Sequence, residues 1–236
     1  MAIRSRILLA SALALLAARF AAGAAPPVQL VETRPVETRL GDPALPATLP
    51  VWLEMIRGAR ESLDFEQFYV STWPGEPLEE VLDAIGQAAR RGVRVRILVD
   101  ARMHATYPRT VDSLGTVPGI AVRALDMGRI AGGVQHAKFF LVDGREVFLG
   151  SQNFDWRALK HIHELGVRVR DARVAGEFAR VFAMDWAAGT PPGAPPDTTR
   201  APRPAPPPGP RLVVPGRIVQ APGDTGLLWP GDSPRS

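Results

Sequence analysis

The sequence predicts an α/β domain, and three stretches predict it. "PLEEVLDAIGQAARRG" reads as an amphipathic helix that runs straight into the strand "VRVRILVD", the alternation of helix and strand that marks α/β folds. "AKFFLVD" and "EVFLGS" are short apolar runs joined across Gly144 and Arg145, the pattern of a tight hairpin. "ELGVRVRD" supplies a further strand just ahead of a closing helix, "ARVAGEFARVFAMDWAAG", with Val174, Phe178, Val181 and Phe182 on one side.

The elements follow in chain order. Residues 1–24 carry Arg4 and Arg6, then an apolar run from Ile7 to Ala18, then Ala22 and Ala24 in a small-residue cleavage pattern. They read as a secretory signal peptide cut after Ala24, which implies an exported chain, periplasmic or secreted. The apolar run is shorter than the roughly 20 residues a bilayer span needs, so no stable membrane anchor is expected after cleavage. The lead-in "VQLVETRPVETRLGDPALPATLP" is spaced by prolines and reads as irregular. "VWLEMIRGAR" is a helix with Val51, Met55 and Ile56 on one face, and "SLDFEQFYV" a strand whose Phe65, Phe68 and Tyr69 belong to the core.

The next helix has Pro77 in its first turn, Glu79 and Glu80 at the positive end of its dipole, and Arg90, Arg91 and Gly92 to close it. "ARMHATYPRTVDSLGTVPG" reads as loop with one short helical piece, with His104 at the surface, and "IAVRALD" as a strand. Fourteen of the 24 prolines lie after Trp186, so residues 189–236 read as a linker or disordered tail and residues 25–188 as the folded domain.

Composition narrows the function classes. Without a cysteine, neither disulfides nor a lipid anchored through an N-terminal cysteine is available, and stability must come from packing. The net charge of +4 resides at the two ends: between Ala25 and Trp186 there are 20 basic and 21 acidic residues. A domain of net charge −1 presents no broad basic footprint for nucleic acid, although a local basic groove stays open.

Chemistry concentrates in "QHAKFFLVDGREVFLGSQNFD", residues 135–155. Residues two apart in a strand face the same way, so His136 and Lys138 are expected to project together, held by the apolar run that follows. Lys138 is one of only two lysines, the other being Lys160, in a chain that otherwise uses arginine. Asp143 ends the strand at the turn, Gly150 allows close backbone approach, and Ser151 and Asn153 offer hydrogen-bonding groups. A neutral imidazole is a competent nucleophile, and a compact ammonium suits the non-bridging oxygens of a phosphate. His161 and His163 sit at strand spacing without an evident third ligand and read as structural or surface residues.

The spacing H-x-K-x4-D-x6-G-S-x-N, formed by His136, Lys138, Asp143, Gly150, Ser151 and Asn153, resembles the HKD signature of the phospholipase D superfamily. "RGARESLDFEQFYV", "AARRGVRVRILVD" and "HELGVRVRD" look like the framework around that motif, particularly in the exported phospholipase D3-like branch, and the single motif is similar to the single-motif nucleases. The resemblance implies a phospholipase D/nuclease-type α-β-α sandwich around a mixed sheet, one lobe in extent. It implies phosphodiester hydrolysis without metal or cofactor, in which one histidine attacks phosphorus and a second protonates the leaving oxygen.

Carried over residue by residue, the resemblance assigns catalysis to His136, Lys138, Asp143 and Glu164, with Glu164 orienting the imidazole and Asp143 fixing the turn. Phosphate binding falls to Lys138, Ser151 and Asn153. Since the chain has one H-x-K, the second motif is expected from another copy in a homodimer. The first expectation for the reaction is phospholipid hydrolysis to phosphatidic acid and an alcohol; a nuclease or exonuclease acting on DNA or RNA is the alternative. A non-catalytic truncated half of a two-motif enzyme is the rival from another class, because the Pro-rich tail stands where a second lobe would begin.

Overall fold

The computed structural model describes residues 26–194, so the expected signal peptide and nearly all of the tail lie outside the described residues. Nine strands are described: β1 (Val28–Thr33), β2 (Ser62–Gln67), β3 (Val70–Ser71), β4 (Arg94–Asp100), β5 (Ile120–Leu125), β6 (Phe139–Val142), β7 (Glu146–Gly150), β8 (Phe154–Asp155) and β9 (Glu164–Val169). The helices are α1 (Thr48–Gly58), α2 (Leu78–Arg90), α3 (Ala101–Thr106), α4 (Pro108–Gly115), α5 (Met127–Ala131) and α6 (Ala172–Ala188).

Seven strands form one mixed sheet in the order β1-β9-β7-β6-β2-β4-β5. The β2, β4 and β5 strands run parallel, as helix crossovers require, while β6, β7, β9 and β1 are antiparallel to their neighbours. Helices cover both faces, giving the expected α-β-α sandwich. On one face α1 and α2 bury Trp52, Ile56, Leu78 and Ile85 against Leu63, Phe65, Val95 and Ile97. Trp52 stacks on Phe154 at 4.8 Å and meets Phe140 and Phe148 edge-on, so one indole joins α1 to three strands. On the other face α6 packs Phe182 and Ala175 onto Leu98, Phe139 and Leu141. Val181, expected in this packing stripe, instead points outward at 43% exposure, because Ala175, Val174, Phe178 and Phe182 already fill the stripe.

Four local expectations are corrected. The lead-in contains β1, whose partner is β9, some 130 residues away, and a local reading cannot see such pairing. The stretch after β4 forms two helices: the Asp100 carboxylate caps the first by accepting from Met103 N at 3.0 Å, and Pro108 opens the second. The hairpin closes on the pair Val142–Glu146, so its loop includes Asp143, which adopts a positive φ of 52° beside Gly144 at 62°. Finally, Thr190 still exchanges two hydrogen bonds with Ala124 of β5, so the anchored backbone continues past residue 188.

Candidate functional site

The carboxyl ends of β2 and β4, the amino end of β6, the end of β7 and the start of β9 meet along one edge of the sheet. Crevices beyond the carboxyl ends of parallel strands are where open α/β sheets place ligands. His136 and Lys138 lie there. β6 begins only at Phe139, so both residues sit in the extended approach to the strand rather than within it. The ladder nevertheless reaches one residue further, with Gly150 N donating to Lys138 O at 3.2 Å.

The approach segment is held from below. Gln135 N donates to Asp100 Oδ2 at 2.8 Å, and Gln135 Nε2 donates to Glu66 Oε1 at 2.9 Å, all three residues being buried. The His136 side chain is exposed, and its ring meets Phe68 edge-on at 4.5 Å between centroids. Lys138 Nζ donates to His136 O at 3.0 Å, lies within 3.3 Å of both ring nitrogens, and sits 5.5 Å from the Phe68 ring centroid. Imidazole and ammonium are thus juxtaposed before any substrate arrives, with both heads at the surface of the crevice. Partial burial pulls the Lys138 pKa below its ordinary value, and the Glu164 carboxylate opposes that shift.

Ser151 and Glu164 join this cluster through close strand approach. Gly150 and Gly166 are register partners in β7 and β9, and a Cβ on Gly150 would stand 2.8 Å from Gly166 Cα and 2.9 Å from Leu165 O. Ser151 Oγ donates to Glu164 Oε2, while Ser151 N donates to Leu165 O at 2.9 Å. The buried Glu164 carboxylate therefore accepts from the Ser151 hydroxyl rather than from the His136 ring. Gln152 ties the same turn to α1 through Thr48 Oγ1 at 3.1 Å. Asn153 is half-buried beside it, with an Oδ1 that has no hydrogen-bond partner.

Asp143 is not in this cluster. It lies past the far end of β6, where its carboxylate accepts from the backbone N–H groups of Arg60, Glu61 and Ser62 at 2.7–3.2 Å. In that place Asp143 caps the start of β2 and ties it to the β6–β7 turn. Burial alone would raise its pKa, but the three N–H donors outweigh that and hold it below the ordinary value.

The remaining histidines are engaged structurally. His104 Nε2 pairs with Asp112 at 2.8 Å and staples α3 to α4; His161 pairs with Glu37, and His163 Nε2 with Glu32 at 2.7 Å. Phe65 is fully buried, but Phe68 and Tyr69, both expected in the core, are half-buried and line the crevice. Tyr69 stacks on Tyr107 at 5.1 Å, and burial, with Asp155 nearby, pushes its hydroxyl up to about 12. Asp155 in turn binds Arg157 through both carboxylate oxygens. The signals for Glu66, Asp100 and Gln135 were polar residues at apolar strand ends, "DFEQ" and "ILVD", and beside the H-x-K.

Comparison with known proteins follows from this geometry. Residues 52–186 match the family model described as "Cardiolipin synthase, PLD-like domain". Among curated relatives, the 5'-3' exonuclease PLD3 of Macaca fascicularis is 36% identical over 151 residues, covering 60% of this chain and 31% of that protein. The virion nicking-joining enzyme of Vaccinia virus (strain Western Reserve) is 32% identical over 161 residues, covering 66% of this chain and 37% of that protein. The chain thus spans well under half the length of these relatives. Nuc from Salmonella typhimurium, a phospholipase D family member, shares the fold with a TM-score of 0.56 at 23% identity, over 70% of this chain and 96% of that one. NucT from Helicobacter pylori gives a TM-score of 0.55 at 21% identity, over 61% of this chain and 89% of that one.

Proposed function

The chain belongs to the PLD-like domain family, and on that premise we propose that it hydrolyses phosphodiester bonds through a phosphohistidine formed on His136. The observation that supports this reading best is the exposed His136 ring with the Lys138 ammonium within 3.3 Å of it at the rim of the crevice. A ring nitrogen of His136 attacks phosphorus while Lys138 balances charge on the non-bridging oxygens. The bond to the leaving oxygen breaks as that oxygen takes a proton from a second histidine. Water then attacks the phosphohistidine, returns a proton to the second histidine and frees His136.

The second histidine comes from another copy of the chain in this proposal, which makes the homodimer the active species. The rival reading, an inactive half awaiting a second lobe, draws support from the 31% and 37% coverage of the longer relatives. For the substrate, a nucleic-acid strand is preferred over the phospholipid first expected. Two relatives carry exonuclease and nicking-joining names, and the aromatic face of Phe68 stands beside the nucleophile, where a base can stack. Export rests on residues 1–24 alone, and N-terminal sequencing of the secreted protein tests it.

The deciding experiment is hydrolysis of a chromogenic phosphodiester by the purified chain in excess chelator, across protein concentration, beside His136→Ala. Turnover lost in the variant, with specific activity falling on dilution, supports the dimeric enzyme. No turnover at any concentration overturns it in favour of the half-protein. Oligonucleotides and phosphatidylcholine vesicles as competing substrates, at rising salt, separate the substrate classes, because nucleic-acid binding falls steeply with salt.

A further inference from the structure

Glu66 is an acid in the middle of the sheet, 1% exposed, and among the described residues no cation forms an ion pair with it. Its register partners on the flanking strands are Leu98 of β4 and Phe139 of β6, both apolar. Two residues earlier on the same face, Asp64 already takes the Arg96 guanidinium through two hydrogen bonds of 2.6 and 2.8 Å, and that guanidinium lies over the rings of Phe182 and Trp186. Lys138 directs its ammonium at His136, and Asp100 lies on the far side of Gln135. The group facing Glu66 from α6 is another acid, Asp185.

The two oxygens of Glu66 are unlike. Oε1 accepts from Gln135 Nε2 at 2.9 Å, whereas Oε2 is buried and receives no hydrogen bond from a donor among the described residues. A buried carboxylate flanked by Leu98, Phe139 and a second carboxyl is costly; a neutral acid is not. With a proton on Oε2, Glu66 presents a carbonyl oxygen to Gln135 and an O–H to Asp185, and the orphaned atom acquires a function.

We propose that Glu66 and Asp185 share one proton, and that this neutral–ionised pair holds Gln135, and through Gln135 the backbone bearing His136, in its working position. Glu66 is a positioning residue: it acts through Gln135, which immediately precedes His136, and the inference rests on the reading of His136 as the nucleophile. Burial, with Asp185 adding to it, pushes Glu66 up to about 8, and burial also raises Asp185. The pair then loses its proton as pH rises through about 8, leaving two facing carboxylates.

Three variants of the full chain test this. Glu66→Gln reproduces both interactions with an amide, whose oxygen accepts from Gln135 and whose N–H donates to Asp185. Glu66→Leu removes both, and Gln135→Leu cuts only the tie to His136. Infrared spectra at pH 6.5 should show a protonated-carboxyl stretch in the wild type that Glu66→Gln removes and Gln135→Leu retains. The imidazole NMR signals of His136 should be unchanged in Glu66→Gln but shifted and broadened in the two leucine variants. In assays, kcat should fall about tenfold or more in the leucine variants with KM little changed, and Glu66→Gln should keep its kcat above pH 8 where the wild type declines. Absence of the protonated-carboxyl band, or a His136 signal in Gln135→Leu identical to the wild type, overturns the proposal. If Glu66→Leu does not fold, Gln135→Leu decides the positioning role. A wild type without turnover sinks the catalytic reading of His136, while the infrared and NMR results still decide the pair.

Discussion

Gly150 and Gly166 face each other across β7 and β9 so closely that a methyl group on Gly150 would stand 2.8 Å from the Gly166 Cα. This contact sets the gap that the Ser151 hydroxyl bridges to Glu164. Gly150→Ala must push the strands apart. The expected cost is about 1–3 kcal/mol of stability from overpacking, read by denaturant unfolding, together with a loss of turnover in the folded fraction. A variant as stable and as active as the wild type refutes the close-approach account.

Asp143 gives the opposite separation. Asp143→Ala strands three backbone N–H groups at the start of β2 and should cost about 1–3 kcal/mol, yet leave kcat of the folded protein nearly unchanged, because the residue lies at the far end of β6 from His136. Since its pKa in the fold is depressed, its contribution is present above the ordinary aspartate value and is lost as pH falls through the lower folded value. Acid unfolding of Asp143→Ala should therefore be shallower than that of the wild type. A large kcat defect with normal stability would return Asp143 to the catalytic group.

Phe68 separates substrate classes. Base stacking on an aromatic ring is worth about 1–3 kcal/mol, so Phe68→Ala should raise KM for an oligonucleotide roughly tenfold while a small chromogenic diester is affected less. Equal losses on both substrates would mean that the ring serves to hold His136, whose imidazole it meets edge-on.

Lys138→Arg should not restore what Lys138→Ala removes. The ammonium is a compact charge lodged between the His136 carbonyl, its ring and Phe68, and a planar guanidinium cannot occupy that place. Removing the charge should lower kcat on the order of a hundredfold, measured on the chromogenic diester. Activity of Lys138→Arg near the wild-type level would show that charge alone matters there.

The His163–Glu32 pair clasps the β9 entry to β1. The side-chain hydrogen bond from His163 lowers the Glu32 pKa against the effect of burial. A depressed acid stabilises above its ordinary value and loses that contribution as pH falls through the folded value. The melting temperature of the wild type should thus drop more steeply on acidification below about pH 5 than that of His163→Ala. Parallel curves for the two proteins would show that the clasp contributes nothing.

The sequence by itself determined the α/β class, the major helices and central strands, and the grouping of His136, Lys138 and Ser151, because these rest on local periodicity, caps and short spacing. "AARRGVRVRILVD" declares a helix ending and a strand starting whatever surrounds it, and the short spacing of His136, Lys138 and Ser151 around one hairpin brings them to one region without help from distant chain. Tertiary structure decided the rest. β1 is a strand because β9 pairs with it, and "QLVET" carries no sign of a partner so remote. Phe68 and Tyr69 read as core because their composition matches Phe65, and only the end of β2 at the sheet edge exposes them. The placing of Asp143 away from His136 follows from the length of β6, and the contact between Glu66 and Asp185 from the packing of α6 over β2. Long-range pairing and burial depend on which surfaces meet, and residue order encodes that only through the whole fold.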